Sequence, residues 1–360
     1  MPRIDPADLE RFYREAFAAA GATSAAADAG AAGLLYADVH GIDTHGAENF
    51  DRLYLAKLRN GQVDGQAEPA LILDWQGVGV IEADGCLGFL AASRAMELAV
   101  DKAGRFGIGA VGVRNSNHCG ALGYYTSSAA DAGFLGIGFT NLGTEVYLRP
   151  PNGRLNLLGT NVIAASSPTQ EMAPFTLDMS VASSSVSRIR AAQRNGERIP
   201  PGWLADEHGR PVTEPAAFSE GTAFLQFLDG MTQGHKGYGL AILIDLFCGI
   251  LIGGSVGPAR MNFTPSKTIP RRRGVGHFFI AVNVDAFQAR GDFQAAMDDM
   301  LKCLVDCPPV DSNADVKYPG LRRQIVAAER RQKGVPLAET LLERLLTVGR
   351  RHGISPPREM

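Results

Sequence analysis

Two kinds of apolar periodicity divide this chain, and their order leaves few folds open. From residue 6 to 60, and again after Asp292, apolar residues recur at helical spacing. Between these stretches, short β-like runs alternate with helical ones. The pattern predicts strands at 70–74, 78–83, 108–114, 134–141, 159–168 and 174–179, with helices over 88–106 and 121–133. Two more strands are expected at 223–228 and 278–284, around an apolar helix. Helix–strand alternation of this kind argues an α/β body. Both ends are helical, so residues 1–70 with 290–360 are expected to form a helical subdomain on a central body of residues 71–289. Pro6 suits a first helical turn after Asp5, and Ser24 is a cap for an alanine-rich second helix. A third helix is expected from about His45 to Arg59. Pro319 and Pro336 each stand just inside a predicted helix start. Residues 190–222, polar and rich in Pro and Gly, read as a long excursion.

The apolar run 238–256 is nearly long enough to cross a bilayer. Asp245 at its centre makes that costly, and a helix buried inside a soluble protein explains it better. Hydrophobic residues make up 45% of the 360 and charged ones 20%, which is enough for a large packed core. Net charge is −3, so no global field favours nucleic acid. The run Arg271-Arg272-Arg273 reads as a solvated loop. Five cysteines are scattered without a CxxC pair, which suggests neither a disulfide framework nor a zinc site. Cys303 and Cys307 share a helical face. The amino-terminal segment lacks an apolar signal core, so a cytoplasmic protein without membrane or nucleic-acid partners is expected.

Several short segments carry chemistry. GIDTHG (41–46) lies where one helix stops and another starts. Asp43 or Thr44 is a candidate cap, which places His45 in the first turn, where the helix dipole disfavours a cation. A histidine with a tunable pKa at such a junction suits proton transfer to a carbonyl, and the Thr44 hydroxyl would orient its ring. RNSNHCG (114–120) puts His118 at the carboxyl end of a strand, the usual ligand crevice of an α/β sheet. GTN (159–161) and FTLDMS (175–180) follow, with Asp178 ending an apolar strand. GHKGYG (234–239) sets His235 and Lys236 at a helix start, suited to phosphate or carboxylate. Each segment also has a plain structural reading: a capped helix with a surface histidine, a hydrogen-bonded loop histidine, an ordinary first turn with a solvated lysine. GIGAVG (107–112) matches a dinucleotide fingerprint formally, but a helix precedes it and a strand runs through it. The glycine turn of that fingerprint must follow a strand and open a helix. Gly107 is better read as a helix C-cap, and no contact with a pyrophosphate is expected there.

GIDTHG, RNSNHCG, GTN, LDMS, HKGYG and YPG, in this order, resemble the malate/L-lactate dehydrogenase family of the non-Rossmann, sulfolactate dehydrogenase-like type. The likeness spans roughly residues 5–350. It implies a mixed central sheet with helices on its faces, NAD or NADP as cofactor, a small-molecule substrate and a homodimer. Relatives of that type include ureidoglycolate and diketogulonate oxidoreductases and reductases of cyclic imine carboxylates. By resemblance, His45 is the proton-transfer histidine, Thr44 its neighbouring hydroxyl and His118 the second active-site histidine. Cofactor contacts are implied at His118, Gly120, Ala121, Asp178, Met179, Ser180, His235, Lys236, Gly320, Leu321 and Arg322, and a substrate contact at Thr160.

Two departures matter. The family commonly carries an arginine four residues after the first histidine, as a carboxylate clamp, and Asn49 stands there. Arg52, about one turn on, is a replacement if the helix start shifts. Val162 replaces the proline that usually follows GTN. The expected activity is reversible hydride transfer between a nicotinamide and a C=O or C=N carbon. A catalytically inactive nucleotide-binding protein, or a reductase of a substrate lacking the usual carboxylate, are the alternatives. Arg188, Arg190 and Arg194 either meet a 2′-phosphate or form the exposed face of a helix.

Overall fold

The computed structural model describes residues 1–230, 234–258 and 274–360, so the Arg271–Arg273 run lies outside the described residues. The centre is a seven-stranded sheet. Its strands, in chain order, are β1 (Ala70–Trp75), β2 (Val78–Glu82), β3 (Ile108–Ser116), β4 (Phe134–Thr140), β5 (Val162–Ser167), β6 (Phe175–Ser180) and β7 (Val275–Asn283). In space they run β1-β2-β3-β7-β4-β5-β6. Only β2 and β3 pair in parallel; the other neighbours are antiparallel, so the sheet is mixed.

Helices Gly88–Phe106 and Gly123–Asp131 cover one face, and helix His235–Cys248 lies on the other, over β3, β7 and β4. Glycines permit this close approach. A Cβ at Gly109 would stand 2.0 Å from Ala99 O, and one at Gly112 would stand 2.5 Å from Ile252 Cγ2. Gly107 ends its helix at φ 83° and β3 continues from it, so GIGAVG serves packing.

A helical core joins the two ends of the chain. Phe12, Tyr13, Phe17 and Phe50 pack with Ala327, Val335, Leu345 and Val348. Arg3–Ile4 pairs antiparallel with Val335–Pro336. Pro336 therefore belongs to a two-residue strand, and the helix expected there starts at Glu339. The cap of the second helix is Thr23, whose side chain accepts from Ala26 N–H, with Ser24 as the first helical residue.

The 190–222 excursion is more structured than its polarity implied. Helix Val186–Asn195 leads into a small sheet of three two-residue strands, and Ile189, Leu204 and Leu225 share one core with Phe139, Phe278 and Ile244. The 238–256 run also differs from expectation. The helix inside it packs through Ala241, Ile244, Asp245 and Cys248, but Ile242, Leu243 and Leu246 are exposed, as are Ile250 and Leu251 beyond it. Helix and following turn, His235–Ile252, are long and apolar enough to cross a membrane. Here Asp245 is bonded to Asn141, on the loop after β4.

Candidate active site

The site grows from the joint at 41–46. The helix after it starts at Ala47, with Gly46 as N-cap, so His45 precedes the first turn. Neither Asp43 nor Thr44 caps it. Asp43 reaches out to Arg330 (3.0 Å), and the Thr44 hydroxyl meets His45 Nδ1 at 2.9 Å. The cap is Asp38, from the preceding helix. Its Oδ1 accepts from Ala47 N–H (2.9 Å) and its Oδ2 from the Tyr13 hydroxyl (2.7 Å). A Cβ at Gly46 would stand 1.9 Å from Asp38 Oδ1, so any larger residue there must displace the capping carboxylate.

Burial raises the Asp38 carboxyl to about 7, against hydrogen bonds that pull it down. Folding therefore takes up a proton here between about pH 4 and pH 7, and stability falls as pH rises through that window. Asp38→Asn is expected to flatten that slope in urea titrations run across the window. Gly46→Ala is expected to cost about 1–3 kcal/mol by overpacking. An unchanged urea midpoint in Gly46→Ala would count against this packing.

Beyond Ala47–Asn49 the helix widens into a π turn, Phe50–Leu55, and narrows again at Ala56–Arg59. Such turns are rare and occur often at functional sites. This one carries Arg52 outward and Tyr54 inward. Tyr54 is 2% exposed, and its hydroxyl meets His118 Nδ1 at 2.7 Å. Gly120 N–H donates to the same nitrogen at 3.2 Å. Nδ1 is thus an acceptor, so the neutral His118 ring carries its proton on Nε2. The rings of His45 and His118 stack, 5.6 Å apart at 22°. Burial lowers the pKa of both. Asp178 opposes the shift at His45 and Arg323 adds to it, while the His45 charge adds to the shift at His118. Two neutral imidazoles at neutral pH give a donor and an acceptor side by side. Tyr54→Phe would leave Gly120 alone to hold the His118 tautomer. A several-fold fall in kcat with nucleotide affinity unchanged is expected, near the worth of one neutral hydrogen bond, about 1 kcal/mol. Wild-type kcat in that variant would remove Tyr54 from the site.

The His118 loop is held from behind. Asn117 Nδ2 donates to Gly85 O and Cys86 O. His277, fully buried on β7, joins Ser116 Oγ (3.0 Å) and Thr140 Oγ1 (2.8 Å). Ala121 is buried beside Gly120.

Asn49 does not face solvent. It is 6% exposed, its Nδ2 donates to Thr44 O (2.5 Å), and its Oδ1 accepts from Arg52 Nη2 (3.1 Å). Arg52 is exposed, with its guanidinium tied to the side chain at the clamp position. Thr160 is half-buried, and its carbonyl accepts from the Ser180 hydroxyl.

Asp178 is occupied from two sides. Its Oδ2 accepts from Gly123 N–H (3.0 Å), and Arg323 Nη1 lies 3.6 Å away. Met179 pairs with Ile163 across β5 and β6. The Tyr318–Gly320 turn abuts the same strand, with Thr176 N–H donating to Pro319 O. Gly320, at φ 101°, caps helix Leu321–Lys333. Arg323, one residue past the expected Arg322, makes the contact to Asp178. Leu321 lines a 240 Å³ cleft with Lys317 and Ile325. A second cleft, of 330 Å³ between Asp131 and Arg290, contains none of the expected site residues.

His235 and Lys236 are exposed at a helix start. A Cβ at Gly237 would stand 2.8 Å from Val181 O, so that start lies against the end of β6. Arg188, Arg190 and Arg194 are exposed on helix Val186–Asn195, and Arg194 lies 3.5 Å from Glu48. Among the described residues no cluster of His, Cys, Asp and Glu is arranged to hold a metal.

Tyr54, Asp38, Arg323 and His277 escaped the sequence reading. Only Arg323 had a signal, as the neighbour of an expected contact. The others sit in helix or strand interiors, where pattern gives no hint of a partner.

The family model described as malate/L-lactate dehydrogenase matches residues 4–346. A malate dehydrogenase of Pyrococcus abyssi is 31% identical over 324 residues, covering 89% of this chain and 87% of that protein. The NAD(+) ureidoglycolate dehydrogenase of Escherichia coli strain K12 is 28% identical over 316 residues, 87% of this chain and 86% of the relative. The solved sulfolactate dehydrogenase of Methanocaldococcus jannaschii superposes with a TM-score of 0.84 at 29% identity, over 98% of each chain. On the match of the family model, the identity across most of the chain and the shared fold, this chain belongs to the malate/L-lactate dehydrogenase family and is an oxidoreductase.

Proposed function

We propose that the protein transfers hydride reversibly between NAD or NADP and the C=O or C=N carbon of a small 2-oxo or 2-hydroxy acid or a related cyclic imine. The stacked pair His45 and His118 carries this reading. The nicotinamide, when bound, supplies or accepts the hydride. His45 gives a proton to the developing alkoxide or amine, and Thr44 holds its ring. His118 presents Nε2–H to the reacting oxygen or nitrogen and polarises it. Asp178, Met179 and Ser180 run between the Gly320–Arg322 turn, at the start of β6, and the helix that His235 and Lys236 open, at its end.

The donors at this end of the sheet fit a dinucleotide. Arg323 Nη1 and Ser184 Oγ are buried polar atoms without a hydrogen-bond partner. Lys236 adds charge at a helix start, where backbone N–H groups favour anions. Two relatives support the substrate and cofactor classes through their printed activities, malate and NAD(+)-dependent ureidoglycolate dehydrogenation. A homodimer in the cytoplasm, with residues 1–70 and 290–360 as the helical subdomain on a 71–289 body, completes the reading.

The test is absorbance of NADH and NADPH with a panel of 2-oxo acids and cyclic imines. Oxidation of either nucleotide by one panel member is expected. Nucleotide binding without turnover on any member would overturn the proposal in favour of a non-catalytic binding protein.

A further inference from the structure

The strands beneath the His118 loop fall out of step just before it. Val275 on β7 pairs with Ser116 on β3, but His277 pairs with Val113, so Arg114 and Asn115 together oppose Gly276 alone. The extra residue makes a bulge in β3, and Asn115 takes a left-handed φ of 56° there. Glu82 on β2 holds the bulge. Its carboxylate accepts from Arg114 Nε (2.8 Å) and from Asn115 Nδ2 (3.0 Å). Bulges bend a strand and re-aim the side chains beyond it, and they gather beside active sites. Here the strand beyond the bulge is Ser116, followed by Asn117 and His118.

Across from the bulge, β7 is pinned. A Cβ at Gly276 would stand 1.8 Å from Cys248 O, and Gly276 N–H donates to Asn141 Oδ1 (2.8 Å). His277 follows, fully buried. Its Nε2 meets Ser116 Oγ, at the end of β3, and its Nδ1 meets Thr140 Oγ1, at the end of β4. The ring thus ties two strand ends across the strand between them. The Asn117 carbonyl lies against it, and Cys119 Sγ is 3.7 Å from Nδ1. Residues on both sides of His118 therefore touch His277, while His118 Nδ1 turns to Tyr54. Burial lowers the His277 pKa to about 4, so the ring is neutral at neutral pH. A neutral imidazole has one donor and one acceptor, which the two hydroxyls match, and neither nitrogen is left for a substrate.

We propose that His277 is a positioning residue for the reaction: it locks the bulged end of β3 and, through it, the aim of His118 Nε2–H. The proposal rests on the hydride-transfer reading above and adds which buried group holds its second histidine in place. Tyr54 and Gly120 fix the ring of His118. His277 fixes the backbone from which that ring hangs. Without its nitrogens the Ser116 and Thr140 hydroxyls lose their shared partner, and Ser116–Cys119 settles in more than one arrangement.

The test compares His277→Phe, which keeps a flat ring without nitrogens, with His277→Gln, whose amide still reaches Ser116. In His277→Phe, kcat is expected to fall by about 10–100-fold, in line with the cost of misplacing a reacting group by about 1 Å. His277→Gln should recover most of that loss, and NADH affinity should stay within about twofold in both. A folded His277→Phe with wild-type kcat would overturn the proposal and leave hydride transfer standing. Equal losses in the two variants would also overturn it, since His277 would then serve packing alone. A wild type that turns over no substrate would overturn the hydride-transfer reading instead. Nitrogen NMR of the His118 ring then decides for His277: a signal split only in His277→Phe supports its hold on His118, and one unsplit signal in all three proteins removes it. Should His277→Phe not fold, Ser116→Ala takes its place with the same outcomes.

Discussion

Replacing His45 with alanine is expected to lower kcat by about 10²–10⁴-fold, the range for loss of a positioned general acid. Nucleotide affinity should hold within about twofold, because the Asp178 end of the site is untouched. The expectation has two physical parts. His45 is neutral at neutral pH because burial lowers its pKa, so it stands in the base form that takes the proton in the oxidative direction. Its Nδ1 is held by Thr44, which leaves the other ring nitrogen for the substrate. A solvent isotope effect on wild-type kcat, lost in the variant, would tie the proton to this step. Near-normal turnover in His45→Ala would sink the assignment. Thr44→Val is expected to fall between the two, since it frees the ring without removing it.

The second large effect concerns Arg52. The sequence left two readings open: a lost clamp at Asn49, or a clamp passed to Arg52. The structure gives Asn49 a task of its own, a buried bond to Thr44 O and a tether for the Arg52 guanidinium. Arg52→Ala should therefore lower kcat/KM for a 2-oxo acid by about 10–100-fold, the worth of a charge-assisted bond of roughly 1.5–3 kcal/mol. Asn49→Arg should not restore activity toward acids. It would bring a guanidinium into a site that is 6% exposed and cut the tie to Thr44. Both variants, measured on one 2-oxo acid, decide the matter. A gain of tenfold or more in Asn49→Arg with little change in Arg52→Ala would reverse the assignment.

Much of this was legible before any coordinates. Helix 88–106 and the strands around it were readable because their apolar spacing is regular and their ends carry glycine. The rejection of GIGAVG as a phosphate loop needed only the order of elements. The joint at 41–46 was legible as a place but not as a mechanism. Its cap comes from Asp38, seven residues before His45 on another helix, and no local motif announces it. The π turn at 50–55 was invisible, since periodicity assumes even spacing. It sends Tyr54 to His118, 64 residues away in the chain. The 238–256 run misled in one respect. Its apolar composition predicted a buried helix, yet Ile242, Leu243 and Leu246 on that helix are exposed. Two-residue strands such as Val335–Pro336 are shorter than any pattern can register.

The stitching of Arg3–Ile4 to Val335–Pro336 has a consequence for how the protein is made. The core beneath His45 includes Ala327, Leu345 and Val348, so it cannot close until those residues leave the ribosome. At about 5–20 residues per second, helices from the first 60 residues wait roughly 15–60 s for their partners. During that interval Phe12, Phe17 and Phe50 lack the far half of their packing. Chaperone occupancy on nascent chains should therefore persist until the last helix emerges, then drop in one step.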